Sequence, residues 1–511
     1  MRRLPFSVAA LFLTMSAIAA EPFDDKFRQL EEVLPTPNTI RNASGAPGHA
    51  YWQQRADYTI RARLDEAKRA ISATETITYH NNSPDSLPYL WIQLDQNIFQ
   101  PGSDARTTST VASRDAWAKA RGEEEGMKFE GMRSILESRT FDGGFKIGAV
   151  KTSSGQPLKY TINKTMMRID LPQPMKPGSR FTFNIDFSYN INEAKVMGGR
   201  TGYEKFDEDK NDLFEIAHWF PRMAAYYDVY GWQHKQFLGA GEFTLEFGDY
   251  DVQLTVPSDH IVASTGELQN PGAVLSAAQR ERLERARTSS KPVIIVTQKE
   301  AEAAEKSRAS TTKTWHFKAK NVRDFAFATS RKFIWDAQGY KKGGTDTMAM
   351  SYYPKEGNPL WEKYSTQAII HTIEQYNKYS LDYPYPAAIS VNGPVGGMEY
   401  PMISFNGPRP TKDKKTGELT YSKRTKYGLI GVIIHEVGHN YYPMIINSDE
   451  RQWTWMDEGL NTFVQYMAQQ AWEENYPQSR GEPRAIVDYM RSRNQVPIMT
   501  NSESLLQFGN N

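Results

Sequence analysis

Two histidines and a glutamate on one short segment have the spacing needed to hold a metal ion and to activate water. Residues 435–439 are His-Glu-Val-Gly-His, inside the helix-compatible stretch 428–440. On a helix, side chains four positions apart differ by about 40° and one turn, so His435 and His439 point the same way. Both imidazoles can then bind one Zn²⁺, while Glu436 reaches a metal-bound water as general base.

A third metal ligand is offered by Glu458, nineteen residues after His439. It begins an apolar-periodic stretch that we predict to be helical to about Trp472. Two antiparallel helices would bring this carboxylate back to the histidine pair, with Asp457 placed to orient the site beside it. Three protein ligands leave one position open, which favours one catalytic zinc per chain over a structural zinc.

A glycine-rich segment upstream is the second candidate site. Residues 394–401 are Pro-Val-Gly-Gly-Met-Glu-Tyr-Pro, and the stretch 398–405 is predicted to be a strand. Taken with the histidine motif, this segment resembles the M1 family of zinc aminopeptidases. That family has His-Glu-x-x-His, then eighteen residues and a glutamate, with a Gly-x-Met-Glu-Asn strand upstream. The residues that match the first part of that strand are Gly396, Gly397, Met398 and Glu399, whereas Tyr400 replaces its asparagine.

The resemblance implies both a substrate and a fold. Glu399 would bind the free α-ammonium of a peptide, so that only the first residue reaches the metal. The segments 218–222 and 321–325 look like further signatures of the family. The family stabilises the oxyanion with a tyrosine, which we expect beyond Asn511 because Tyr466, Tyr476 and Tyr489 follow the zinc motif too closely. Those three tyrosines are interpreted as packing residues, and the chain as part of a longer one.

The elements that must position these residues differ along the chain. Strand-like alternation predicts strands at 56–64, 71–79, 89–94, 181–189, 242–247, 250–256 and 293–297. Two charged, helix-prone segments, 116–137 and 277–287, look like surface insertions. After about residue 360 the pattern is helical, first over 361–379, and a basic loop at 411–426 is interpreted as a solvated loop. We therefore predict an antiparallel, saddle-like β-domain at 21–355 and an incomplete, α+β, thermolysin-like zinc peptidase domain at 356–511.

The N-terminus has the three parts of a secretory signal peptide. Arg2 and Arg3 precede a short apolar run, and small residues allow cleavage near Ala19-Ala20. The run is too short to span a bilayer, so residues 1–20 predict a secreted or periplasmic protein with no transmembrane span. The mature chain would be indifferent to an oxidising compartment, since the sequence has no cysteine and therefore no thiol.

Composition limits the kinds of partner and of metal ligand that the chain can have. The 61 Lys+Arg nearly balance the 60 Asp+Glu, for a net charge of +1, which argues against a nucleic-acid partner held by a general basic field. Without cysteine, a metal must be held by histidine and carboxylate. The favoured function is a zinc aminopeptidase acting on peptides with a free N-terminus. A zinc endopeptidase and a non-catalytic, zinc-stabilised peptide-binding protein are the alternatives, and the oligomeric state is left open.

Overall fold

The computed structural model describes residues 36–108, 129–239, 241–342, 345–477, 481–493 and 495. The predicted signal peptide and most of the predicted insertion at 116–137 lie outside these residues, as does Asn511. Within the described ranges, none of the helices combines the length and apolar character that crossing a bilayer requires.

The described residues form twenty-five strands, of which twenty-three lie before residue 407. The first twelve are β1 Arg55–Asp65, β2 Ala70–His80, β3 Leu87–Gln93, β4 Lys146–Thr152, β5 Lys159–Asn163, β6 Met166–Met175, β7 Arg180–Asn190, β8 Gly202–Phe206, β9 Asn211–Ile216, β10 Arg222–Met223, β11 Tyr226–Tyr227 and β12 Gly231–Trp232. The others are β13 Gly248–Pro257, β14 Ile261–Ser264, β15 Glu267–Leu268, β16 Val293–Val296, β17 Thr312–Val322, β18 Phe327–Ser330, β19 Ile334–Lys342, β20 Thr345–Tyr353, β21 Ala387–Asn392, β22 Gly397–Tyr400, β23 Ile403–Asn406, β24 Thr411–Lys412 and β25 Leu419–Thr420.

The described residues form ten helices, and the three longest of them lie after residue 359. They are α1 Asp104–Thr107, α2 Phe129–Thr140, α3 Ala194–Met197, α4 Pro271–Val274, α5 Ala277–Ala286, α6 Gln298–Glu305, α7 Leu360–Tyr379, α8 Lys423–Gly438, α9 Leu460–Trp472 and α10 Val487–Arg491. Single 3₁₀ turns occur at Asp95–Phe99, Lys355–Gly357 and Pro483–Ile486, and π-helical turns at Asn440–Ile445 and Trp455–Gly459.

A seven-stranded sheet, in the order β15-β17-β13-β1-β2-β7-β4, carries the predicted alternation. On β1 the side chains of Ala56, Tyr58 and Ile60 are buried, and their neighbours are more exposed, because successive side chains point to opposite faces. The sheet is mixed rather than purely antiparallel as predicted. Residues 58–63 of β1 pair in parallel with residues 250–255 of β13, because the chain returns to β1 only after a long excursion through other sheets.

A six-stranded sheet, in the order β16-β19-β20-β21-β23-β22, supports the two long helices α7 and α8. Strand β22 lies at its edge and antiparallel to β23. The predicted strand at 398–405 is thus a hairpin, with Met402 in the left-handed region at φ 67°. The boundary predicted at residue 355 falls between β20 and β21 of this one sheet, and the division into domains stays a prediction.

One predicted strand is wrong, because its polar groups are committed elsewhere. The described residues of 242–247 form no strand, and β13 begins at Gly248. The backbone N–H of Phe243 donates to Glu450 at 3.2 Å, and the hydroxyl of Thr244 donates to Asp449 at 2.6 Å. This segment is therefore held by the connection between α8 and α9 rather than by a sheet.

The helix that carries the histidine motif starts earlier than predicted. Helix α8 begins at Lys423, and the side chain of Ser422 caps it by accepting the N–H of Thr425. The predicted basic loop at 411–426 is consequently a small hairpin, β24 and β25, followed by the first turn of α8. The basic side chains of Lys423 and Arg424, at the start of α8, lie beside the site described below.

Candidate metal centre

The three predicted metal ligands are brought together between α8 and the start of α9. The Nε2 atoms of His435 and His439 lie 3.1 Å apart. An Oε2 atom of Glu458 lies 3.2 Å from the first and 3.9 Å from the second. Two Zn–N bonds of about 2.0–2.1 Å at a tetrahedral angle separate the nitrogens by about 3.3 Å. The donor set, two imidazoles and one carboxylate, therefore fits zinc in both chemistry and spacing.

The ring of His435 is oriented by two side chains of α9. Its Nδ1 lies 3.0 Å from Oε1 of Gln465, and the amide of Gln465 donates to the carbonyl of Gly431 at 3.1 Å. That second bond fixes which end of the amide faces the ring, so Nδ1–H is the donor and Nε2 keeps its lone pair for a metal. Asn461 also donates to the backbone carbonyl of His435, at 2.9 Å.

The ring of His439 is fixed by the turn that follows it. Its Nδ1 donates to the carbonyl of Tyr442 at 2.7 Å, and Oδ1 of Asp457 lies 3.0 Å away. Asp457 is fully buried, and burial raises its pKa to about 6 although His439 acts in the opposite direction. The carbonyl of Tyr442 is the closer acceptor, Asp457 lies beside the same ring atom, and its orienting role stays a prediction.

The electrostatics of the ligands are those of an ion-binding site. Burial would lower the pKa of His435, but the carboxylate of Glu458 raises it above 6.5. Burial would likewise raise the pKa of Glu458, but the two histidines hold it well below its usual range. A carboxylate and two imidazoles thus lie together, and a metal cation can take the place of protons on the rings in balancing the carboxylate.

Glu436 lies on the strand side of α8, against the edge of the six-stranded sheet. It is buried, and burial raises its pKa to about 8. Glu399, Glu436 and His439 each place a ligating atom within 4.8 Å of the other two. A Cβ at Gly397 would lie 2.5 Å from Oε1 of Glu436 and 3.1 Å from a methyl of Val432. Only glycine lets the edge strand approach the helix this closely.

Glu399 belongs to a second group of carboxylates that the sequence did not reveal. Glu242, Glu399 and Glu450 place oxygen atoms within 4.8 Å of one another. Arg200 forms an ion pair with Glu242, and Arg323 forms one with Glu450. Among the described residues, the carboxylate of Glu399 has no hydrogen-bond or ion-pair partner. It is therefore the member of the group that is left to bind a cationic ligand.

Met398 and Tyr400 fasten the strand on either side of Glu399. Nη1 of Arg200 lies 3.1 Å from Sδ of Met398. The hydroxyl of Tyr400 is buried, donates to the carbonyl of Arg200 at 3.2 Å and lies 3.2 Å from Nε2 of His218. Tyr400 thus points into the β-rich part of the chain and ties the strand to it.

The two segments singled out at 218–222 and 321–325 meet in the structure. Arg222 forms a buried ion pair with Asp324 at 2.5 Å, and the indole N–H of Trp219 donates to the carbonyl of Phe325 at 2.9 Å. Arg323 continues the contact to the connection between α8 and α9, where it donates to Asn447 at 3.0 Å. These segments hold the β-rich part of the chain against the metal centre.

The loop that leads into β22 is held by another buried carboxyl group. Oε2 of Glu215 accepts the backbone N–H of Val395 at 2.9 Å. A Cβ at Gly393 would lie 2.2 Å from the carboxyl carbon of Glu215, so glycine is again required. At Gly396, by contrast, no atom lies within 4 Å of the Cβ position, so close packing does not require a glycine there.

Two of the three tyrosines interpreted as packing residues make their contacts away from the ligands. Tyr466 donates to Glu482 at 2.7 Å, and Tyr476 donates to the carbonyl of Tyr427 at 2.8 Å. Neither contact involves Glu458 or the histidines.

Comparisons with known proteins give structural likeness only. No family model matches the sequence, and no curated protein matches it. An M1 zinc metallopeptidase from Deinococcus radiodurans is similar at 12% identity and a TM-score of 0.49, over 90% of this chain and 80% of that chain. A mutant of it bound to a Tyr-Ser-Ala substrate gives the same values. A mutant two-domain M1 zinc metallopeptidase bound to L-tryptophan matches at 12% identity, a TM-score of 0.48, and 90% and 81% coverage.

The structural neighbours are M1 zinc metallopeptidases. They carry the family name that the sequence motifs suggested. At these scores the likeness carries no argument, so the function proposed below rests on this chain's own residues.

Proposed function

We propose that this protein is a zinc-dependent aminopeptidase that removes the N-terminal residue of peptides. The observation that carries the proposal is the position of Glu399. Its buried, partnerless carboxylate lies next to Glu436 and His439, where it can pair with a peptide's terminal ammonium. Gly396, Gly397 and Met398 place that carboxylate at the edge of the sheet.

Each residue of the site has a distinct task. His435, His439 and Glu458 would hold the zinc ion, which when bound lowers the pKa of water and polarises the scissile carbonyl. Next to a bound zinc ion the pKa of Glu436 would fall, so that its carboxylate accepts a proton from the attacking water and donates it to the leaving amine. Pairing of the ammonium with Glu399 allows only the first peptide bond to lie beside Glu436.

The same proposal includes export. The charged start, apolar run and small-residue cleavage region of residues 1–20 support a secreted or periplasmic location. Expression of the full chain with a C-terminal tag, followed by fractionation and mass spectrometry of the mature N-terminus, tests it. A cytoplasmic protein that still begins at Met1 would refute it.

The activity is tested with a matched substrate pair, an amino-acid anilide and its N-acetylated form. The zinc-loaded protein should contain about one zinc per chain and cleave the free amine far faster. Glu436→Gln should retain zinc and lose turnover, whereas His435→Ala should lose most of the zinc. Equal cleavage of both substrates would indicate an endopeptidase, and zinc content without any turnover would indicate a binding protein.

A further inference from the structure

A groove leaves the metal centre along the first half of α8. It has a volume of about 680 Å³ and reaches from His435 past Gly431 and Gly428 to Lys423 and Arg424. Its other wall consists of Gln465 and Gln469, which belong to α9, and of residues 475–477. The carboxylates around Glu399 do not line this groove, so it is separate from the proposed ammonium site.

The floor of the groove contains an unused hydrogen-bond acceptor. Gln469 is 1% exposed, and its Oε1 has no hydrogen-bond partner among the described residues. Its amide nitrogen lies 3.0 Å from the position that a Cβ of Gly431 would occupy, so glycine leaves room for the amide beside the helix. A buried acceptor without a partner is costly, and a ligand N–H would satisfy it.

The far end of the groove is basic. Lys423 and Arg424 are exposed at the start of α8, and Lys426 follows in the same turn. The nearby acidic side chain Glu473 pairs with Lys426 at 3.2 Å and is exposed to the charge of Lys423 as well. Lys423 and Arg424 line the groove, and none of its lining residues carries a carboxylate, so this end is positively charged.

We infer that this groove binds the part of the peptide beyond the scissile bond and selects peptides with an acidic residue near the fifth position. The inference rests on the proposed function, since the ammonium at Glu399 sets the direction of the chain. Lys423 lies twelve residues before His435, or about 18 Å along the helix. An extended peptide rises about 3.3 Å per residue, so about five residues span that length.

Gly428 offers a variant that blocks the groove without disturbing the fold. No atom lies within 4 Å of its Cβ position, and its φ is not in the left-handed region. Gly428→Leu places a side chain about 10 Å from His435, beyond the reach of a dipeptide. Gly272→Leu is the matched control, because Gly272 also has open space and lies in the short helix α4.

The test measures peptide binding in the zinc-loaded Glu436→Gln protein by calorimetry, so that turnover does not interfere. The probes are Ala-Ala-amide and the pentapeptide amides Ala-Ala-Ala-Ala-Glu and Ala-Ala-Ala-Ala-Lys. We expect the Glu pentapeptide to bind about tenfold more tightly than the Lys pentapeptide at low salt. Gly428→Leu should weaken the Glu pentapeptide about tenfold and change the dipeptide less than twofold, and Gly272→Leu should change neither.

Charge reversal supplies the second arm. Arg424→Glu should remove the preference for the Glu pentapeptide, whereas Lys415→Glu, in the exposed hairpin, should keep it. Equal binding of both pentapeptides would overturn the inference, and so would a Gly428→Leu protein that binds them as tightly as the parent does. In either case, binding of the dipeptide would leave the proposed function intact. If no probe binds, Ala-Ala-amide included, both the inference and the ammonium site are wrong.

Discussion

The buried carboxyl group of Glu215 holds the backbone N–H of Val395 at 2.9 Å, although the two residues are 180 positions apart. Glu215 lies on β9, and Val395 lies in the loop that leads into the edge strand β22. Its second oxygen has no hydrogen-bond partner among the described residues, and burial raises its pKa well above 4.5. The group is therefore a neutral acid whose function is to position the strand that carries Glu399.

Glu215→Gln should preserve this contact, and Glu215→Ala should break it. A carboxamide has the shape of the neutral acid, whereas alanine leaves a buried N–H unpaired at a cost of about 1–3 kcal/mol. We expect Glu215→Ala to raise KM for free-amine substrates more than it lowers kcat, and Glu215→Gln to behave like the parent. The exposed Glu281→Gln is the control. Equal kinetics in the alanine variant and the parent would show that β22 is positioned without Glu215.

Asp457→Asn should weaken zinc binding without removing a ligand. The aspartate lies 3.0 Å from Nδ1 of His439, and its charge makes that imidazole a stronger ligand. Loss of such a partner typically costs 10- to 100-fold in metal affinity. Competition with a chromogenic chelator measures the affinity, with the exposed Asp346→Asn as control. Unchanged affinity would mean that the carbonyl of Tyr442 orients the ring alone.

The metal ligands could be predicted from the sequence because their geometry is local. Side chains four residues apart on a helix face the same way whatever surrounds them, and Glu458 follows on the next helix. The long strands could be predicted as well, because burial of one face makes apolar and polar residues alternate in β1 and β2. His435, His439 and Glu458 also lie within 23 positions of one another in the chain.

The surroundings of Glu399 could not be predicted, because they depend on distant residues. Arg323 and Glu450 are 127 positions apart, and neither belongs to a spacing pattern. The segment 242–247 alternates like a strand but is held by side chains from the connection between α8 and α9. Alternation predicts that one face is buried, and it does not specify what covers that face.

Asp336 should make the stability of the protein depend on pH. It is buried under α7, where burial raises its pKa from 3.8 to about 7 even though Thr366 and Tyr353 donate hydrogen bonds to it. The folded protein therefore holds a proton that the unfolded chain releases near pH 3.8. The stabilisation is complete below pH 3.8 and is lost as the pH rises to about 7, by at most about 4 kcal/mol at 1.36 kcal/mol per pKa unit.

Asp336→Asn tests this dependence because the amide cannot ionise. Compared with the parent, the variant should gain unfolding free energy between pH 4 and pH 8, as measured by urea denaturation at both values. Asp346→Asn removes an exposed carboxylate from the same sheet and should show no such trend. A constant difference between Asp336→Asn and the parent across this range would show that Asp336 is ionised in the folded protein.

Glu399→Gln should abolish the preference for a free amine while zinc stays bound. The carboxylate lies beside Glu436 and His439 and has no partner among the described residues, so the substrate's ammonium would supply one. A charge-assisted bond is worth about 1.5–3 kcal/mol, or roughly 10- to 150-fold in affinity. The glutamine keeps the size of the side chain and loses the charge, so kcat/KM for an amino-acid anilide should fall by that factor. The N-acetylated anilide should change little, since it has no ammonium to lose. If both substrates fall by the same factor at unchanged zinc content, Glu399 acts on the strand's structure, and the ammonium must be bound elsewhere.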